Sequence, residues 1–149
     1  MITEEHEEQL RQVFERAGVI AAYLFGSHAR GQAHTLSDVD VAVLFAEETP
    51  GNARFDSVLR LVFELERALG AGRVDVVDME DVAIMLRYQI LRDGRLIYCT
   101  DPKRRARFYA RSMSLYFDFL PSRKLYYRHL MARIKEGRLG ERFRCKRDS

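Results

Sequence analysis

The sequence predicts an α/β fold, a small mixed β-sheet flanked by helices with a helical extension at the C-terminal end. Three observations predict it. Apolar runs of strand length alternate with amphipathic helical stretches through residues 1–100, the pattern of strands covered by helices. Glycines stand where helical stretches give way to strands, as at Gly18, Gly70 and Gly94. From residue 101 onward the pattern is helical, and the chain becomes basic and aromatic.

The 149 residues are 47% hydrophobic and 32% charged, which suits one domain large enough to bury a core. Residues 1–100 read as that core and residues 101–149 as an extension of the same domain. No apolar run approaches the ~20 residues of a membrane span. The acidic start, Met1-Ile-Thr-Glu-Glu-His, is unlike a secretory signal, which needs a basic start and an apolar stretch. A cytoplasmic protein is expected, with Cys99 and Cys145 as free thiols, since their spacing matches no metal site. The net charge of +3 hides an asymmetry. Residues 1–100 carry 10 Lys and Arg against 17 Asp and Glu, net −7, whereas residues 101–149 carry 15 against 5, net +10. A basic extension on an acidic body implies a negative partner: an acidic protein surface, nucleic acid, or substrate phosphates.

Taken in order, residues 3–17 form a helix with Thr3 as N-cap, acids in the first turn, and Leu10, Val13, Phe14 and Ala17 on one face. Gly18 ends it. The run Val19–Phe25 is continuously apolar, so it is a central strand covered on both faces. A Gly-Ser turn at Gly26 and Ser27 opens a short helix, and a loop leads to a second strand over 38–45. Residues 53–69 carry Phe55, Val58, Leu59, Val62, Phe63, Leu65 and Leu69 as a broad apolar stripe, with Gly70 and Gly72 behind it. A third strand over 73–78 has Asp75 in its interior. A helix follows over 80–92 with Val82, Leu86 and Ile90 on one face, and then an edge strand over 95–99. The extension is predicted as two helices separated at Pro121, the second running from 122 to about 135. Its aromatic residues Phe108, Tyr109, Tyr116, Phe117 and Phe119 read as core packing rather than a base-stacking platform. The last dozen residues lack periodicity and are expected to fray.

The chemistry lies in 23–45. A Gly-Ser turn at a helix start offers backbone N–H groups and a hydroxyl to an anion, and Gly26 allows close approach to a phosphate. Asp38 and Asp40, at i and i+2 on a strand, point to the same face. Mg²⁺ takes oxygen ligands, commonly one or two carboxylates plus substrate phosphates. Asp75, flanked by Val74 and Val76 that face the other way, is the best third carboxylate. It completes a two-metal arrangement and can act as base for an attacking hydroxyl. Asp78 is the rival acid, placed at the strand end where it caps the following helix. The four histidines, His6, His28, His34 and His129, have no ligand spacing and read as surface residues or helix-face residues.

Gly26-Ser27, ten residues, then Asp38-Val39-Asp40 matches the signature of the DNA polymerase β-like nucleotidyltransferase superfamily. The fuller run from Phe25 to Val43 resembles the minimal nucleotidyltransferases in particular, the MntA-type antitoxins paired with HEPN toxins. The segments VDVVDM at 74–79, IL..G..IY at 90–98 and YFDFLP at 116–121 are similar to later segments of that family, so the resemblance covers nearly the whole chain. It implies Mg²⁺-dependent transfer of AMP from ATP to a tyrosine hydroxyl of a cognate HEPN ribonuclease, which silences that toxin, within a hetero-oligomer of the two. On this sequence it implies Asp38, Asp40 and Asp75 as metal-binding catalytic acids. It gives Gly26 and Ser27 to the triphosphate, with Arg30 and Ser37 as further phosphate contacts. Two other readings remain open at this stage: a small-molecule nucleotidyltransferase similar to aminoglycoside-modifying enzymes, and an antitoxin that neutralises its partner by binding alone. Nucleic-acid binding by the extension is the weakest reading, and a membrane partner is not expected.

Overall fold

The computed structural model of the chain describes residues 3–26, 38–70 and 72–135. Its elements are α1 (Glu4–Ala17), β1 (Val19–Phe25), β2 (Val39–Phe45), α2 (Gly51–Leu69), β3 (Val74–Asp78), α3 (Ile84–Asp93), β4 (Arg95–Cys99) and α4 (Pro102–Lys135). The four strands form one mixed sheet in the order β3-β2-β1-β4. β1 pairs antiparallel with both β2 and β4, while β2 and β3 run parallel through the α2 crossover. The expected α/β architecture is therefore present, with β1 central and β4 at an edge.

Local chemistry sets the boundaries. The Thr3 hydroxyl accepts a hydrogen bond from the His6 N–H and the Thr3 N–H donates one to His6 Nδ1, a capping box at the start of α1. Gly18 closes that helix in the left-handed region, φ 78°. Leu10, Val13 and Phe14 then enter a core with Ala22 and Leu24 of β1, Val39, Val41, Val43 and Phe45 of β2, and Leu61 and Leu65 of α2. Each large apolar side chain removed from water there is worth about 1.5–3 kcal/mol. Residues 39, 41, 43 and 45 point into this α1–α2 layer, so the period of two sends Asp40, Ala42 and Leu44 to the opposite face of the sheet. β1 contacts α3, whose Ile90 is buried.

Several expectations need correction. β2 begins at Val39, leaving Asp38 just before the strand. α2 begins at Gly51, and only part of its predicted stripe is buried: Leu65 is, as is Leu61, whereas Phe55, Leu59 and Phe63 are exposed. The apolar residues of α2 are too widely spread for one sheet face to cover. α3 starts at Ile84 rather than residue 80, because residues 79–82 make turns, one of them closed by the Asp81 N–H bonding the Asp78 carbonyl. α4 is continuous through Pro121. Proline removes one N–H donor, and its ring crowds the carbonyl four residues earlier. That carbonyl belongs to exposed Phe117, where water can satisfy it. The aromatic stripe is not core packing as a whole: Phe108 is buried, but Tyr109, Phe117 and Phe119 are exposed.

By internal contacts the chain divides into two compact units, Met1–Ser112 and Met113–Ser149, so α4 contributes residues to each. In the first unit, Arg104 of α4 is almost fully buried, donates to the Phe45 carbonyl and pairs with Glu80 at 2.7 Å. The Arg104 and Arg87 guanidiniums both lie over the Phe108 ring. Among the described residues no helix is long and apolar enough to cross a membrane. The expected fraying of the last dozen residues lies outside the described residues, as does Cys145, while Cys99 is a free thiol.

Candidate active site

The site is assembled at the end of the sheet where β1 finishes and β2 and β3 begin. In the antiparallel β1–β2 ladder Phe25 is the partner of Asp40, which carries the chain's next residue, Gly26, up against that carboxylate. The contact is close enough that a Cβ on Gly26 would collide with Asp40 Oδ2. Gly26 also has φ 72°, a backbone conformation that strains any other residue. Its glycine identity is thus required twice.

Parallel pairing of β2 with β3 sets Asp40 directly beside Asp75. Val74 is buried in the α1–α2 layer and Val76 packs against it, so Asp75 emerges on the face that carries Asp40. Asp38 stands one residue before β2, exposed, its backbone adjoining the hydrogen bond from the Val39 N–H to the Arg73 carbonyl. Asp75 is about half exposed and forms an ion pair with Arg73 at 3.3 Å. The fold thus brings Gly26, Asp40 and Asp75 together and holds Asp38 at the rim. Ser27, Arg30 and Ser37, with His28 and His34, lie outside the described residues. Among the described residues no group of three or more His, Cys, Asp or Glu side chains is arranged to hold a metal ion, so Asp38, Asp40 and Asp75 do not converge on one cation position.

Asp78 takes no part in this face. Three residues beyond Asp75, it turns to the other side of the sheet and receives Arg54 Nε from α2 at 2.6 Å, with Arg54 also reaching Glu80 at 3.0 Å. It caps no helix: the N-cap of α3 is Ala83, and Asp78 accepts instead from the Glu80 N–H within the turn. Burial pushes its carboxyl up, against the hydrogen bonds from the Glu80 N–H and Arg54 that pull it down.

A cleft of about 300 Å³ opens beside Gly26, lined by Phe25, Leu86, Gln89, Ile90 and Asp93 among others. Sequence reasoning missed the wall of this cleft. Leu86 and Ile90 read as an ordinary core stripe, and only the packing of α3 beside the end of β1 turns them toward Gly26. The available signal was the polar Gln89 next to that stripe.

Gly26 thus seats its backbone against the Asp40 carboxylate, with Asp75 on the next strand and a cleft beside them. Residues 8–103 match the family described as "Polymerase beta, Nucleotidyltransferase". The chain belongs to that family. It is 33% identical over 78 residues to the protein adenylyltransferase MntA of Shewanella oneidensis, an alignment covering 52% of each chain. It is 39% identical over 88 residues to the protein adenylyltransferase MntA of Thermococcus cleftensis, covering 59% of this chain and 81% of that one. The match thus spans about half the length of the Shewanella relative. Among solved structures, a toxin–antitoxin crystal structure with AMP-PNP superposes with a TM-score of 0.67 at 26% identity, covering 84% of this chain and 98% of the other. A crystal structure of the toxin–antitoxin MntA-HepT shares the fold with a TM-score of 0.64 at 23% identity, over 87% of this chain and 99% of that one.

Proposed function

We propose that the protein transfers AMP from ATP to a hydroxyl of a partner protein, a tyrosine of a cognate HEPN toxin, and acts as that toxin's antitoxin in a complex of the two. The observation that carries this reading is the seating of Gly26 against Asp40, with Asp75 in register beside it. Relatives that are protein adenylyltransferases support the choice of AMP and of a protein acceptor. The AMP-PNP held by a structural neighbour supports ATP as donor.

The donor set fits Mg²⁺ in its chemistry, hard carboxylate oxygens of the kind that take Mg²⁺ together with substrate phosphates. When bound, Mg²⁺ would be held by Asp38, Asp40 and Asp75, where it supplies charge neutralisation for the triphosphate. The chain's own residues do the rest. In this reading Gly26, Ser27, Arg30 and Ser37 would bind the triphosphate, with the cleft beside Gly26 the candidate place for the rest of the nucleotide. Asp75 accepts the proton of the attacking hydroxyl as its oxygen bonds to the α-phosphorus and the bond to pyrophosphate breaks.

The test is labelled ATP with Mg²⁺ and the co-expressed partner, read by intact mass. The expected result is addition of AMP to the partner, lost by at least ~10³-fold in Asp40→Asn with its circular dichroism unchanged. Full transfer by Asp40→Asn would overturn the site. Modification of small hydroxylated acceptors with none of the partner would overturn the acceptor.

A further inference from the structure

We propose that Arg73 is the built-in counter-ion of the acid face: it holds the Asp75 carboxylate until a divalent cation displaces it. Cation binding and release of Arg73 are then one event. Resting on the reading of Asp75 as a metal-binding acid, this makes Arg73 a positioning residue of the same site.

Four charged residues occupy neighbouring positions on one face of the sheet. In the parallel β2–β3 ladder Val39 pairs with Val74 and Asp40 with Asp75, and the Val39 N–H bonds the Arg73 carbonyl. Asp38 and Arg73 are therefore the next positions out, one residue before each strand. The period of two puts Asp38 with Asp40, and Arg73 with Asp75, on the face opposite buried Val39 and Val74. The result is a two-by-two array of three carboxylates and one guanidinium.

Like charges set side by side on adjacent strands repel, and Asp40 and Asp75 are such a pair, with Asp38 one position away. Arg73 is the cation placed among them, its Nε donating to Asp75 Oδ1 at 3.3 Å. A guanidinium keeps its charge at any working pH, and its planar fork matches a carboxylate. The pair also bears on how the acids are disposed. Bound to Arg73, the Asp75 carboxylate is held toward the start of its own strand, and the three acids do not converge on one cation position.

Both partners have room to move, since the side chains of Arg73 and Asp75 are 66% and 43% exposed. Neighbouring strands lie about 4.8 Å apart, so one staggered rotation about χ1 brings the Asp75 carboxylate toward Asp40 with the backbone in place. An exposed ion pair is weak, equivalent to no more than about a fivefold factor in an equilibrium. A divalent cation carries twice the charge of a guanidinium and engages more than one carboxylate. The pair therefore lowers the affinity for the cation without preventing its entry.

The test is calorimetric titration of Mn²⁺, which suits the same oxygen ligands as Mg²⁺, into the purified full chain. Arg73→Ala is expected to bind Mn²⁺ about three- to fivefold more tightly than the parent. In an Asp75→Asn background, where there is no carboxylate to release, the same substitution should gain clearly less. That difference measures the coupling of the two residues. Circular dichroism checks that each variant is folded. An unchanged or weakened affinity in Arg73→Ala overturns the inference. So does an equal gain in both backgrounds, which would make Arg73 a general charge near the site. Asp40→Asn separates these outcomes from failure of the site itself. Mn²⁺ binding that survives Asp40→Asn undiminished, or that the parent lacks even with AMP-PNP, removes the acid face as a metal site and the inference with it.

Discussion

At the residue scale, Gly26 carries two separate demands, a left-handed backbone and the absence of a Cβ beside Asp40. Gly26→Ala is expected to cost about 1–3 kcal/mol of stability through backbone strain. Because relief of the collision must push Asp40 aside, AMP transfer should fall by more than the stability loss predicts. Thermal unfolding and transfer measured on the same preparation separate the two effects, and parent-level transfer in Gly26→Ala would contradict the close seating. Asp78 offers a test of the opposite side of the sheet. Removing its partner in Arg54→Ala strands a buried carboxylate and should destabilise by about 3 kcal/mol in urea unfolding. The pH dependence carries a definite sign. Burial raises the Asp78 carboxyl in the fold, so its contribution to stability is fully present below the unfolded value and is lost as pH rises through the folded one. The stability advantage of the parent chain over Asp78→Asn should therefore shrink as pH rises from below the ordinary aspartate value through the raised folded one. An advantage that grows over that window would contradict the direction.

At the scale of elements, α4 and α2 show how local rules are overridden. Proline is among the strongest helix-breaking signals in a sequence, yet α4 runs through Pro121 because the carbonyl it leaves unbonded is on an exposed stretch. Its cost persists even so. Pro121→Ala is expected to raise helicity by circular dichroism and to stabilise α4 by up to ~3 kcal/mol; an unchanged or lowered helix signal would mean that the proline is not strained there. In α2 the number of apolar residues exceeds what one sheet face can cover, so periodicity alone could not divide Leu61 and Leu65, which are buried, from Phe55, Leu59 and Phe63, which are not. Pairs of strands behaved differently. β1 and β4 have their predicted bounds, because both are short apolar runs closed by turn residues on each side.

At the scale of the whole molecule, charge is divided between a net −7 over residues 1–100 and +10 over residues 101–149. If the basic part steers the protein acceptor, the apparent affinity for that acceptor should weaken as salt rises from about 50 to about 300 mM, with turnover at saturation little changed. A flat salt response would assign those charges to solvation alone. The sequence by itself determined the strand that leads into Gly26, the two-residue spacing of Asp38 and Asp40, and the isolation of Asp75 between two valines, since turn chemistry and a period of two are local properties. Only the tertiary structure decided that Asp40 and Asp75 stand in register, that Asp78 turns away to Arg54, and that Leu86 and Ile90 wall a cleft beside Gly26. Those outcomes depend on strand order and on which helix covers which face, relations between segments distant in the chain that no local pattern encodes.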